Sequence, residues 1–582
     1  MPSVQQQEAS QGPLPLGPRK RPSTVIHLPV IHFTALGYGA MLGGGILLMI
    51  ALAIKSAYQQ RPKETPDVFG DARFMNEREL KRSGLLVSRQ RPGADGVYIG
   101  AWKDSKGRTQ YLRDVSNRHV LICGPTRSGK SVSCILPTLL EYRGATIVND
   151  IKGELLAQTG AWRKAHIGPV IRWEPGALSG SAAWNPLLNV RLATPYEIAD
   201  AHNIGLMLID IRGHGLDRLD HWQKAAVPLL AGLILYELYA ARELTAALAE
   251  AITLEEDSCP WLHPDDRRPT PVIAASLGDV ALRFSDPNHD ADADLFEDMR
   301  NNAYNNGRPH PFIAAEGAAQ INRSDRERSG VTSTLRTFLT LFYDPIVSAN
   351  TSVSDFRLSD ISDLAQPLNI FIVTLPNDRV RLRPLVRLFL TMALRSLMAA
   401  PLIYVHGQPR SPHRHETLFV GDELPELGKL EEVETSLAKC ASWGIKFLMG
   451  IQDVTQLNGI YGLGHSILAN THTKVFFPTG DLSTAKMLSE STGTKTEQTP
   501  HTTIMGRRLG FMGQVTKNIQ ATSRPLMTPG EILTMKGAVK DEDDRIIEPG
   551  RMLLLITGER PLETDQLLFF EDPTFLARSQ GI

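Results

Sequence analysis

The chain has 582 residues, 42% of them hydrophobic, with 62 Lys and Arg against 63 Asp and Glu. That length exceeds one domain, and the even charge excludes a protein-wide basic field for nucleic acid, leaving at most a local patch. The four cysteines, Cys123, Cys134, Cys259 and Cys440, form no C-x-x-C pair and have no His at zinc spacing; they read as reduced, buried thiols rather than a disulfide framework or a zinc module.

Residues 1–29 read as a disordered tail, rich in Gln, Pro, Ser and Gly, with Arg19, Lys20 and Arg21 near its end. Residues 30–54 follow without one Asp, Glu, Lys or Arg. At a helical rise of about 1.5 Å per residue this stretch spans the roughly 30 Å hydrocarbon core, and it is read as a transmembrane helix. It is too long for a signal peptide's apolar region, and no clear cleavage site follows. A buried soluble helix is the alternative. Gly37, Gly39 and the run Gly43-Gly44-Gly45 would weaken such a helix but suit close packing in a membrane. Residues 96–104 (GVYIGAWKD) and 107–115 (GRTQYLRDV) then form a small β lead-in.

Val120 to Cys123 is a short apolar run that reads as a buried strand, and it leads into Gly124-Pro125-Thr126-Arg127-Ser128-Gly129-Lys130-Ser131. This is a full G-x-x-x-x-G-K-[ST] phosphate loop. Gly124 and Gly129 let the backbone approach phosphate oxygens. The N–H groups of the loop, and of the helix expected over 132–142, face the anion. Lys130 reaches the β- and γ-phosphates of ATP, and the Ser131 hydroxyl can ligate Mg²⁺. ATP is cytoplasmic, so the body after residue 60 is placed in the cytoplasm. Three basic residues flank each side of the apolar stretch (Arg19, Lys20, Arg21; Lys55, Arg61, Lys63), so charge bias alone does not orient it.

Residues 145–148 form a second strand, ending in Asn149-Asp150 with no acid after Asp150; it is read as a parallel strand that brings a carboxylate near the site. Residues 168–175 (GPVIRWEP) form a third strand, and Trp184 to Leu187 a turn. Residues 194–340 change character. Apolar residues recur at i, i+3, i+4 and i+7 from His221 to Ile252, so this region is predicted to be all-α. Lys224 and Glu237 argue against a second membrane span there. Strand–helix alternation returns at Pro367, with a strand at 368–375 and a helix at 383–398. Thr417, Leu418, Phe419 and Val420 run into Asp422 and Glu423, a Walker B pattern: Asp422 holds the Mg²⁺ and Glu423 polarises the attacking water. A further strand ends near Gln452, which can touch both the γ-phosphate and that water. Residues 470–480 supply another strand, 483–491 a helix, and Arg551–Thr557 the last strand. The expected class is therefore α/β, in two parts (55–193 and 341–582) around the all-α domain.

The stretches FGDARFM (69–75), GPTRSGKS (124–131), VNDIKGEL (148–155), WNPL (184–187), HWQKAA (221–226), RERSGVTSTL (326–335), FVGDELPELGKL (419–430), GIQDVTQL (450–457) and RPLMTPGEI (524–532) occur in this order. Together they resemble the type IV secretion coupling proteins, the TraG/VirD group of conjugation ATPases, over most of the chain. The resemblance implies a RecA-like P-loop domain, capped at its cytoplasmic mouth by the all-α domain, in an inner-membrane homo-hexamer. It implies recruitment of relaxase-bound single-stranded DNA or protein effectors, and their delivery to the inner-membrane components of a type IV secretion channel. Such proteins usually have two membrane helices, and only one convincing span is visible here. Ring ATPases of this type often complete the site with an arginine from the next subunit. Arg328 and Arg524 are the candidates. Arg328 is preferred because Ser329-Gly330 after it suggests a turn that projects the side chain; Arg524 is expected in a loop.

Two other readings compete. An FtsK-like, membrane-anchored DNA translocase would usually carry a winged-helix module after the last strand, and residues 558–582 leave no room for one. A non-catalytic docking platform would not need Lys130, Ser131, Asp422 and Glu423 all intact.

Overall fold

The computed structural model describes residues 68–87, 95–210, 213, 215–257, 272–284, 291–505 and 514–581. The expected tail (1–29), the expected membrane helix (30–54) and Cys259 lie outside the described residues.

Seventeen strands follow in chain order: β1 (Val97–Lys103), β2 (Thr109–Asp114), β3 (His119–Cys123), β4 (Ala145–Asp150), β5 (Val170–Trp173), β6 (Asn369–Val373), β7 (Ile403–Val405), β8 (Gln408–Arg410), β9 (Thr417–Gly421), β10 (Ile445–Ile451), β11 (Thr471–Phe476), β12 (Thr494–Met505), β13 (Gln514–Pro525), β14 (Val539–Lys540), β15 (Ile546–Glu548), β16 (Arg551–Ile556) and β17 (Leu562–Asp565). Eleven of them make one sheet, ordered β2-β1-β17-β16-β11-β3-β10-β9-β4-β6-β5. From β11 to β5 every pairing is parallel. β16, β17, β1 and β2 extend it as antiparallel neighbours.

The apolar runs explain the centre of this sheet. Parallel strands covered on both faces read as continuous hydrophobic stretches, and β3 and β10 are buried at every residue. Side chains alternate between faces along a strand. Leu121 and Cys123 of β3 therefore join one core, together with Phe419, Phe447 and the helical region. Val120 and Ile122 join the other, together with Leu448 and Leu139.

Between β5 and β6 the described chain is helical, as predicted. Its longest helix, His221–Asp257, is long and apolar enough to cross a membrane, yet most of its apolar window is buried. It packs against Glu197–Ile209, Pro311–Ile321 and Asp325–Leu339. The helices continue past residue 340 through Pro345–Asn350, and the sheet resumes at Asn369.

Two expectations need correction at the C-terminal end. Arg551–Thr557 is not the last strand, because β17 follows and joins β16 to β1. β12 and β13, absent from the predicted elements, form a twelve-pair antiparallel ribbon. Cys123, Cys134 and Cys440 are buried and unpaired; burial pushes the Cys123 and Cys440 thiols up to about 12.

One buried cation ties the parallel strands to their helices. Arg163 is fully buried on the helix Glu154–His166. It donates to the carbonyls of Leu139, Tyr142 and Gly144 and to Asn369 Oδ1, at 2.5–3.1 Å. Three carbonyl acceptors lose their donor if it is removed. Arg163→Leu is therefore expected to lower stability by about 3 kcal/mol or more, measured by thermal or urea unfolding; a loss below about 1 kcal/mol would show that water replaces the guanidinium.

Candidate nucleotide-binding site

The parallel strands end together on one edge of the sheet, where α/β proteins place their ligands. The loop after β3 crosses this edge. The Gly124 amide donates to the Ile451 carbonyl at 3.1 Å, and a Cβ at Gly124 would lie 2.6 Å from Phe477 Cβ, so no larger residue fits. Gly129 has φ +95°. Arg127 is also left-handed, with φ 62°, a conformation that costs an L-residue roughly 1–2 kcal/mol. A π-turn, Ser131–Ile135, opens the following helix and continues as Leu136–Leu139, shorter than the predicted 132–142. Such turns recur at functional sites.

Most of the predicted site residues meet here. Pro125 to Ser131, Asp150, Asp422, Glu423 and Gln452 line one cavity of about 790 Å³. Lys130 Nζ donates to the Ile451 carbonyl at 3.0 Å and lies 3.7 Å from Glu423 Oε2. Ser131 Oγ donates to Asp422 Oδ1 at 3.1 Å. Burial raises the pKa values of Asp422 and Glu423, while the Lys130 charge pulls both back. Burial likewise raises Asp150, although backbone N–H groups offset it.

The donor set suits a hard cation carried in with a polyphosphate. Mg²⁺ sites of that kind use one or two carboxylates, a hydroxyl and the phosphates themselves. Ser131 and Asp422 supply that set. Among the described residues no group of three or more His, Cys, Asp or Glu could hold a metal alone. Among the described residues Ser128 Oγ and Glu423 Oε1 are buried with no hydrogen-bond partner, which fits a site built for further oxygen atoms and water.

The sequence missed part of the lining. Lys152, Glu154, Arg379 and Glu426 complete one wall, with Arg379 Nη2 2.9 Å from Glu426 Oε2. Lys540, Asp541, Asp544, Arg545, Ile546, Ile547 and Phe570 form another. The first set was findable, because it lies in the turns and helix starts that follow β4, β6 and β9. The second carries no motif.

The two arginine candidates are placed differently from expectation. Arg328 sits inside the helix Asp325–Leu339, with no turn after it. Gly330 belongs to the same helix, and Trp222 packs against it; a Cβ there would lie 2.5 Å from the indole. Arg328 Nη2 donates to Asp325 Oδ1 at 2.5 Å. Arg524 lies on β13 rather than in a loop, and its Nη2 donates to Glu531 Oε1 at 2.6 Å. Neither lines the cavity of its own chain.

A sheet with this strand order, parallel from β11 to β5, a glycine-lysine loop after its central strand β3 and acids at the end of β9, one strand removed from it across β10, define a RecA-like P-loop nucleotide-binding protein. Residues 73–581 match the family described as Type IV secretory system Conjugative DNA transfer, and the chain belongs to that family. It is 37% identical over 525 residues to the conjugal transfer protein TraG of Escherichia coli, covering 88% of this chain and 78% of that one. It is 26% identical over 510 residues to the protein VirD4 of Agrobacterium fabrum, covering 86% and 66%. Its fold is shared with the plasmid coupling protein TrwB, solved in complex with ADP and Mg²⁺, at a TM-score of 0.54 and 18% identity over 87% of this chain and 96% of that one.

Proposed function

We propose that the chain is the ATP-hydrolysing coupling protein of a type IV secretion system. The observation that carries this is the joint placement of Lys130, Ser131, Asp422 and Glu423 in one cavity on a phosphate loop. Loop residues Gly124 to Ser131 hold the phosphates, and Lys130 neutralises charge that builds on them during transfer. Ser131 and Asp422 hold Mg²⁺, which supplies charge neutralisation and in-line orientation when bound. Glu423 takes up the proton of the attacking water, and Gln452 orients that water.

The relatives named for conjugal transfer support the wider role. The chain recruits relaxase-bound single-stranded DNA or protein effectors and passes them to the inner-membrane components of the channel, working as a homo-hexamer. Residues 30–54 anchor it in the bacterial inner membrane with the body in the cytoplasm. The full chain is expected to release phosphate from ATP in a Mg²⁺-dependent manner, and faster with single-stranded DNA. No release under either condition would favour a non-catalytic docking platform; stimulation by duplex alone would favour an FtsK-like translocase.

Removal of residues 1–60 is expected to give a soluble protein with weakened self-association. A truncated protein retained in the membrane fraction after a carbonate wash would place the anchor elsewhere. The arginine supplied in trans is assigned first to Arg328, whose pair with Asp325 must open to reach a neighbour. Mixing Arg328→Ala with Lys130→Ala subunits is expected to restore part of the activity that each lacks alone. No recovery at any ratio, with mixed hexamers formed, would move the assignment to Arg524.

A further inference from the structure

One wall of the nucleotide cavity carries Asp150, Lys152, Glu154, Arg379 and Glu426, with Ile151 and Leu155 among them. The other, which follows the last parallel strand, carries Ile546, Ile547 and the aromatic Phe570 beside Lys540, Asp541, Asp544 and Arg545. Ile546 reaches the phosphate loop itself, since a Cβ at Gly129 would lie 3.2 Å from its Cδ1. Phe570 sits on the short helix Phe569–Glu571, its ring packed edge-on against Phe569 at 5.6 Å.

This wall is fastened to the loop. Asp544, at the tip of the β14–β15 hairpin, accepts from Arg127 Nη1 and from Lys540 Nζ, each at 2.8 Å. Gln566 Nε2 donates to the Ser128 carbonyl at 3.1 Å. The Arg127–Asp544 ion pair and the Gln566 hydrogen bond both join the loop to this wall. The hairpin's carboxylates are also engaged: Asp544 by the two cations, and Asp541 Oδ1 by the backbone N–H groups of Asp543 and Arg545.

We propose that Phe570, Ile546 and Ile547 form the base subsite, where the purine of the bound nucleotide stacks. The inference rests on the nucleotide reading above and adds how the base is chosen. A base presents a flat apolar π face, which gains from an aromatic ring and loses beside carboxylates. With the nearby carboxylates already occupied, recognition is by stacked area rather than by the hydrogen-bonding edge. Adenine and guanine are therefore held alike, and cytosine less well.

The test is equilibrium dialysis of the full chain in detergent with Mg²⁺ and, in turn, ADP, GDP, CDP and inorganic pyrophosphate, none of which is consumed by hydrolysis of a γ-phosphate. ADP and GDP are expected to bind with similar affinity and more tightly than CDP. Phe570→Ala is expected to weaken ADP and GDP by roughly tenfold and to leave pyrophosphate unchanged, while Phe570→Tyr, which keeps the ring, behaves as the starting protein. Ile547 is 54% exposed, so Ile547→Ala does not threaten the fold and is expected to show the same pattern with a smaller loss. If both alanine variants leave ADP binding unchanged, or weaken pyrophosphate equally, the subsite is overturned. If the starting protein binds none of the four, the nucleotide reading itself fails.

Discussion

Lys130→Ala is expected to lower ATP turnover by about a thousandfold or more while the fold survives. The expectation follows from what surrounds the ammonium. Lys130 is 7% exposed, 3.7 Å from Glu423 Oε2, and it partly offsets the burial of both Asp422 and Glu423. Removing a preorganised cation aimed at developing phosphate charge costs about 10²–10³ in rate for a single donor. Here the loss also releases the hold on the carboxylates. Burial then raises their pKa values with no ammonium to pull them back. Phosphate release and thermal unfolding, measured side by side, check this. Turnover within a few-fold of the starting protein would sink the assignment of the loop.

The second large effect separates the two acids. Glu423→Gln is expected to keep ATP and Mg²⁺ binding and to slow hydrolysis by about 10²–10⁴, the range for loss of a general base. Its Oε1 is buried with no partner among the described residues, so an amide of the same shape disturbs little else. Asp422→Asn acts differently. Asp422 accepts from Ser131 at 3.1 Å, and an amide retains that acceptor but loses the charge a divalent ion needs. The Mg²⁺ concentration required for half-maximal binding of ATP is expected to rise. Identical binding and rate defects in the two variants would show that the division of roles is wrong.

The nucleotide loop, Asp422-Glu423 and Gln452 were legible because each is local: an apolar strand and the polar residues just past its end. β3, β4, β6, β9 and β10 were legible for the same reason, as buried strands announce themselves by unbroken apolar runs. β17 was missed because Leu562-Glu563-Thr564-Asp565 is short and half charged, and it becomes a strand only between β1 and β16. β12 and β13 carry Thr, Gln and Lys where strand patterns have apolar residues, so their pairing is set by one another. Gly330 misled in the opposite direction. A Gly beside Ser reads as a turn, but Ser324 caps the helix at Asp325 and Trp222 fills the space a side chain would take. Phe570 and Ile546 could not be assigned from sequence, since Ile546 reaches the loop only on the β14–β15 hairpin and Phe570 only after the chain returns through β16 and β17.

The strand order also sets a timetable for synthesis. β3 lies between β11 and β10, and Val120 is opposite Leu448 and Thr473. Neither partner exists until some 330 further residues have been translated. At about 5–20 residues per second that is roughly 15–65 s, during which the glycine-lysine loop has a strand before it but no sheet to hold that strand. The helices between β5 and β6 make mostly local contacts and can form meanwhile; the nucleotide site cannot. It is among the last parts of the body to be assembled, so a half-made chain has no nucleotide site before its sheet has closed.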